Sequence, residues 1–190
     1  MVSPMTQEEM KELENIIPDP TQDYEYERFE EDGEYLMGLV GAKIKERKAY
    51  KSEEMNKGYQ LTFRSKDNPK VFVNQWVKAS CHERSNMFKL LRNMTGGKLK
   101  KGCSNLETFE ALKGCLGKWF DCQVECKPWA QNPEVIFNNL SDNGARPSKV
   151  EKGDCREYFG TEKAEVEPVD EKTKAVVKGK ENFDKDQIPF

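Results

Sequence analysis

The sequence lacks long apolar runs. The longest, from Tyr35 to Ala42, contains two glycines and falls far short of the roughly 18 residues that a membrane-spanning helix requires. The N-terminus also lacks the basic and then apolar pattern of a secretory signal, because Glu8, Glu9 and Glu12 lie among its first residues. We therefore expect a soluble, cytoplasmic protein without a membrane partner.

Signals for catalysis and for cofactors are also lacking. Gly96-Gly97-Lys98 has neither the spacing nor the preceding strand of a phosphate-binding loop. The carboxylates of the central segment are not spaced as ligands of a catalytic Mg²⁺. We expect no enzyme and no cofactor, and a nuclease whose scattered carboxylates converge in space is the catalytic alternative.

Histidine is nearly absent, which bears on metal binding. The single histidine accompanies 6 cysteines, of which only Cys122 and Cys126 form a close pair, whereas zinc needs four ligands that commonly come in pairs. Both cysteines alternate with Phe120 and Val124, as residues on the inner face of a strand do. We therefore expect reduced core cysteines and no metal site.

Charge is unevenly distributed along the chain, although the net charge is only -3. Residues 1–34 carry 12 acidic and 2 basic side chains, whereas residues 35–120 carry 18 Lys and Arg against 7 Asp and Glu. The last 70 residues are again acidic, with 15 acidic and 11 basic side chains. A basic centre between acidic ends favours a polyanionic partner such as a nucleic acid.

Alternation of apolar and polar residues predicts three strands after residue 34. Each strand has one apolar side that we expect to face a core. The core-facing residues are Leu36, Val40 and Ile44 in the first strand, Tyr59, Leu61 and Phe63 in the second, and Val71, Val73 and Val77 in the third.

Two helices are predicted next, one over Glu83 to Met94 and one that begins at Ser104, which forms a capping box with Glu107. Strand character returns in residues 118–127 and 134–140. The order predicts a mainly β fold, an OB-fold-like five-stranded Greek-key barrel with a helical insert between strands 3 and 4. Other small barrels are the alternative.

Composition divides the chain into four parts. Residues 1–32 form a flexible acidic N-terminal arm with one possible helix, from Thr6 to Ile17, and residues 33–140 form the barrel. Residues 141–180, which have few periodic apolar residues, are predicted to be a linker. Residues 181–190 are the C-terminal tip, and the linker and tip together form a flexible tail.

The polar side of the predicted strands combines cationic and aromatic residues. Single-stranded nucleic acid exposes phosphates and base faces together, so a protein that binds it needs Lys and Arg beside flat rings. The candidate nucleic-acid-binding residues are Lys43, Lys45, Arg47, Lys51, Gln60, Thr62, Arg64, Phe72, Asn74, Trp76 and Lys78. The alternative is that the helix over Glu83 to Met94 covers Phe72 and Trp76, which would make both rings core residues.

The C-terminal tip ends in Asp184-Lys185-Asp186-Gln187 followed by Ile-Pro-Phe. This ending resembles that of bacterial and phage single-stranded-DNA-binding proteins, and Leu116-Gly117-Lys118 before the fourth strand is similar to phage-encoded relatives. The resemblance implies that the terminal Phe enters a basic-rimmed hydrophobic pocket on a replication or repair protein. The implied partner-binding residues are Asp184, Asp186, Ile188, Pro189 and Phe190.

Together these patterns predict sequence-tolerant binding and protection of single-stranded DNA in replication, recombination or repair, in the cytoplasm of a bacterial cell or a phage-infected host. The tip would recruit partner proteins, and the barrel could assemble into homo-oligomers. The alternatives are an RNA-binding or strand-annealing module on the same barrel and a non-catalytic interaction adaptor.

Overall fold

The computed structural model describes residues 27–49, 53–129, 132–161 and 166–183. Five antiparallel strands form one sheet in the order β3-β2-β1-β4-β5. The strands are β1 (Gly33–Lys48), β2 (Met55–Ser65), β3 (Phe72–Lys78), β4 (Trp119–Trp129) and β5 (Asn132–Pro147). The helices are α1 (Asn86–Met94), α2 (Asn105–Cys115), α3 (Cys155–Phe159) and α4 (Glu171–Phe183). The predicted mainly β class is confirmed, and two helices do lie between the third and fourth strands.

A β-bulge in β1 decides which of its side chains face the core. The register with β2 shifts between Leu39 and Gly41, so that Val40 has no partner in the ladder. Met37 and Leu39 are fully buried before the bulge, and Ala42 is buried after it. The inward-facing positions are therefore odd-numbered before the bulge and even-numbered after it.

The predicted core-facing set of β1 is consequently wrong in part. Leu36 lies on the face opposite to Met37, and Val40 is the bulged residue; both are only half-buried. Ile44 has the inward parity but is 42% exposed, in the part of β1 that pairs with β2 and not with β4. The sequence pattern predicts an uninterrupted alternation in β1, and the extra residue at the bulge breaks it.

The core lies between the inner face of the sheet and α1. Phe63 of β2 and Phe120 of β4 are fully buried and meet edge to face, with ring centroids 6.3 Å apart. Phe88 and Leu91 of α1 belong to the same buried cluster. Each fully buried side chain of this size contributes about 1.5 to 3 kcal/mol, so this cluster holds the helix against the sheet.

Side-chain caps set the starts of α1 and α2. The hydroxyl of Ser85 accepts a hydrogen bond from the backbone N–H of Phe88 at 3.1 Å, so α1 begins after Ser85 rather than at the predicted Glu83. The predicted capping box of α2 is present, because Ser104 and Glu107 each bond the other's backbone N–H. These bonds satisfy N–H groups that a helix start otherwise leaves unpaired.

Folded chain continues past Leu140, where the sequence predicts a linker. β5 extends to Pro147 and buries Ala145 completely. The short α3 follows, and its Cys155 is 0% exposed against Gly38 of β1, where an added Cβ would lie 2.5 Å from the Cys155 Cβ. Isolated buried residues without a period give no signal in the sequence, which is why composition favoured a linker here.

Tyr59 of β2 hydrogen-bonds the segment before α4. The Tyr59 hydroxyl donates to the carbonyl oxygen of Glu167 and accepts from the N–H of Val169, both at 3.0 Å. Val166 and Thr173 are buried on either side of this contact. This segment, which belongs to the predicted linker, therefore packs on the sheet.

Residues 27–32 of the predicted N-terminal arm contact the sheet. The ring of Phe29 stacks on Tyr35 with centroids 3.6 Å apart, and Asn138 of β5 donates to the Phe29 carbonyl at 2.9 Å. The possible helix from Thr6 to Ile17 lies outside the described residues. Within the described ranges, no helix has the length and apolarity needed to span a membrane.

Candidate nucleic-acid interface

Strand register places ten of the predicted binding residues on the outer face of β1, β2 and β3. Directly opposed residues of antiparallel strands project to the same side of a sheet. The cross-strand rows are Gly38, Arg64 and Phe72; Gly41, Thr62 and Asn74; Lys43, Gln60 and Trp76; and Lys45, Gly58 and Lys78. Arg47, opposite Asn56, extends this surface along β1. We call the ten predicted residues in this group the cationic-aromatic face.

Trp76 lies across the neighbouring strands of this face. Its indole Nε1 donates to the carbonyl oxygen of Lys45 at 3.2 Å, and the Arg47 guanidinium lies 5.3 Å from the ring centroid. The ring passes over Gly58, where an added Cβ would approach Trp76 Cε2 to 3.0 Å and the Val77 carbonyl oxygen to 2.2 Å. The glycine therefore allows the indole to lie flat, in an orientation fixed by one hydrogen bond and one cation–π contact.

Phe72 forms the second ring of the face. The Arg64 guanidinium lies 5.0 Å from the Phe72 ring centroid, and its Nε donates to the carbonyl oxygen of Pro69 at 2.6 Å. Phe72 and Trp76 are four residues apart on β3, which corresponds to about 13 Å along a strand. Two rings at this separation can each stack a base of one extended strand.

Both rings lie outside the hydrophobic core. Phe72 and Trp76 are half-buried and do not belong to the buried cluster, whereas Val73 and Val77, which point to the other side of β3, do. Leu91 of α1 packs into that same cluster on the inner face. The alternative that α1 covers the two rings is therefore excluded.

Among the described residues, no carboxylate forms an ion pair with a cation of the face. Lys43, Arg47 and Lys78 are exposed, and Lys45 donates to the Gln60 side-chain oxygen at 2.9 Å. Within the described part of the chain, the ion pairs recorded involve other basic residues, such as Lys48 with Glu53. The positive charge of this surface is thus available to an anionic ligand.

The remaining predicted site residues cannot be placed on the face. Lys51 lies outside the described residues. The same holds for the predicted partner-binding residues, which are Asp184, Asp186, Ile188, Pro189 and Phe190.

A second group of rings borders the face and was not predicted from the sequence. Trp119 of β4 contacts Tyr158 and Phe159 of α3, with ring centroids 5.3 and 5.4 Å apart. The Lys66 Nζ lies 5.8 Å from the Trp119 ring and 5.9 Å from the Tyr158 ring, and it forms an ion pair with Glu151. The adjacent Tyr158 and Phe159 were the available signal, because aromatic pairs are rare in true linkers.

Three buried cysteines do not have the properties of nucleophiles. Burial raises the pKa of Cys115 to about 11 and that of Cys155 to about 12, and it raises the pKa of Cys122 well above its ordinary value. Thiols with raised pKa values stay protonated near neutral pH, whereas a catalytic cysteine needs its thiolate. Of the two predicted core cysteines, Cys122 is fully buried and Cys126 half-buried, with its Sγ donating to the Phe29 carbonyl.

Comparisons with known proteins do not identify a ligand for the cationic-aromatic face. The chain matches no protein-family model, and no curated protein sequence matches it. Among the described residues, His, Cys, Asp and Glu do not come together in a group of three or more that could hold a metal ion.

Proposed function

We propose that this chain binds and protects single-stranded DNA without strong sequence preference, in replication, recombination or repair. The observation that carries the proposal is the strand register, which brings two half-buried rings and the five cations of the cationic-aromatic face onto one side of three adjacent strands. A flat ring can stack on any base, and lysines can follow any phosphate backbone. Such a surface distinguishes single strands from duplexes, because only unpaired strands offer their base faces.

The fold supports this proposal through its strand connectivity. Three consecutive antiparallel strands, a helical insert and a final hairpin make the element order of an OB-fold, and β1 pairs with both β2 and β4. The outer strands of the sheet also approach each other, since Gln75 of β3 accepts a hydrogen bond from the Leu140 N–H of β5 at 3.2 Å. We propose that the sheet is a five-stranded Greek-key barrel of this type, whose strands 2 and 3 bind oligonucleotides.

The C-terminal tip completes the proposed function. Its resemblance to the ending of single-stranded-DNA-binding proteins supports a role in recruiting replication or repair proteins, with Phe190 as the anchor. The barrel would then hold the DNA while the tip delivers the partner. Removal of residues 181–190 should leave DNA affinity unchanged and abolish partner recruitment.

The proposal is tested by titrating labelled single-stranded DNA, duplex DNA and RNA with the full chain at several salt concentrations. Tight binding of single-stranded DNA is expected, with affinity falling as salt rises, because each phosphate contact releases about 0.7 counterion. Preference for RNA, or faster pairing of complementary strands, would favour the RNA-binding or annealing alternative. Absence of salt-sensitive binding to any single strand would refute the proposal.

A matched pair of variants locates the contacts. Lys43→Ala with Lys78→Ala removes two exposed cations of the face, and the salt slope should decrease by about 1.4. Lys48→Ala with Lys70→Ala removes two exposed lysines that pair with carboxylates, Glu53 and Glu27. The control variant should keep the salt slope of the wild type. An equal decrease of the slope in the two double variants would show that the DNA does not bind on the cationic-aromatic face.

A further inference from the structure

Tyr158 presents an open ring beside the cationic-aromatic face. It is 57% exposed, whereas Trp119, on which it rests, is only 5% exposed. The Tyr158 ring meets Trp119 at 75° and Phe159 at 85°, with centroids 5.3 and 5.0 Å apart. Edge contacts on two rings restrict the tyrosine while much of its surface stays in contact with solvent.

The backbone that carries this ring is held firmly against the sheet. The Cys155 N–H donates to the carbonyl oxygen of Gly117 at 2.7 Å, and the Gly117 N–H donates to the Leu39 carbonyl at 2.9 Å. Cys155 itself is packed against Gly38, which has no side chain to displace it. A ring in a preset orientation loses little conformational entropy when a ligand stacks on it.

Charged side chains connect this ring with the face. The Arg64 guanidinium lies between two rings, 5.0 Å from the Phe72 centroid and 4.8 Å from the Phe159 centroid. Lys66, two residues further along the chain, lies 5.9 Å from the Tyr158 centroid. Rings and cations therefore continue from β3 through Arg64 to α3 without leaving the outer surface.

We propose that Tyr158 is a further stacking site, which receives a base of the same single strand after the strand has passed Phe72. This inference rests on the proposed function and extends the DNA-binding surface from β1, β2 and β3 to α3. Arg64 supplies positive charge for the phosphates along this part of the path, whereas Lys66 is already paired with Glu151. The occupant is a nucleic acid because stacked rings alternate with cations here, as they do on the face itself.

The test uses the full chain and oligothymidines that lengthen one nucleotide at a time. For the wild type, affinity should rise with length until the strand reaches Tyr158. Tyr158→Ala should reach its plateau at a shorter length, with affinity for long strands lower by about fivefold or more, while the shortest strands bind as to the wild type. Tyr158→Phe should behave as the wild type, because it keeps the ring.

Two controls separate stacking from a structural effect. Tyr158→Leu keeps an apolar contact on Trp119 but has no flat face, so it should reproduce the shortened footprint if stacking is the cause. Phe137→Ala removes another exposed aromatic side chain, on β5 outside the face, and should leave the length profile unchanged. Urea unfolding of each variant checks that the fold is retained.

The outcomes are distinguishable. A wild-type length profile for Tyr158→Ala would overturn the stacking site and leave the proposed function intact. A loss with Tyr158→Phe as large as with Tyr158→Ala would assign the effect to the hydroxyl and also overturn stacking. Failure of the wild type to bind any single strand would overturn both.

Discussion

Replacement of Trp76 by alanine tests the interface at a ring of β3 that contacts residues of β1 and β2. The indole lies over Gly58, donates to the Lys45 carbonyl at 3.2 Å and carries the Arg47 guanidinium 5.3 Å from its centroid. Alanine removes the ring, and with it the group that orients Arg47. Both a stacking surface and the position of one cation are therefore lost.

The magnitude follows from the ring's position. Base–aromatic stacking is worth about 1 to 3 kcal/mol, so affinity for single-stranded DNA should fall by about 5- to 150-fold. Stability should change less than in a core variant, because Trp76 is half-buried whereas Phe63 is fully buried. Phe63→Ala should cost about 3 to 5 kcal/mol of unfolding free energy.

The assay is fluorescence anisotropy of a labelled oligothymidine at one fixed salt concentration, together with urea unfolding of each variant. Trp76→Phe should recover much of the lost affinity because it restores a ring. Phe137→Ala is the matched control, since its side chain is 43% exposed and lies on β5. Wild-type affinity for Trp76→Ala, or an equal loss for Phe137→Ala, would refute the assignment of the face.

Three further predictions concern stability. Burial raises the pKa of Cys115 to about 11, so between about pH 9 and 11 its thiol stays protonated in the folded state but ionises in the unfolded state. The unfolding free energy of the wild type should therefore fall with rising pH in this range, by about 1.4 kcal/mol per pH unit more than that of Cys115→Ala. Urea unfolding at several pH values measures this difference. Gly38→Ala should cost about 1 to 3 kcal/mol of unfolding free energy, whereas Gly41→Ala, whose added Cβ meets nothing within 4 Å, should cost less than about 0.5; similar urea midpoints would contradict this. Tyr59→Phe removes the hydroxyl that binds the C-terminal segment, so amide exchange should accelerate in residues 166–183 and not in the core strands; unchanged exchange there would argue against the anchor.

Part of the fold could be predicted because strand alternation is a local property. In β2 the alternation placed Tyr59, Leu61 and Phe63 correctly in the core, since successive side chains of a strand must point to opposite sides. The capping box at Ser104 was equally local. The ten described residues of the cationic-aromatic face followed from the same rule, and the register brings them onto one surface.

β1 shows where local reasoning failed. The bulge at Val40 reverses the inward parity within one strand, and the adjacent Gly41 was the available signal, because a glycine inside a strand often marks a bulge. Lys43 and Lys45 nevertheless lie on the predicted side, because they follow the bulge and alternate with the buried Ala42. A prediction based on alternation is therefore valid only between irregularities of the backbone.

The sequence by itself determined the strands β1, β2 and β3, the start of α2 and the residue types of the face, because each depends on neighbours a few positions away. Only the tertiary structure decided that α3 covers Gly38 and that Phe159 meets Arg64. Those contacts join segments far apart in the chain, and their formation depends on which surfaces the whole molecule can bury together.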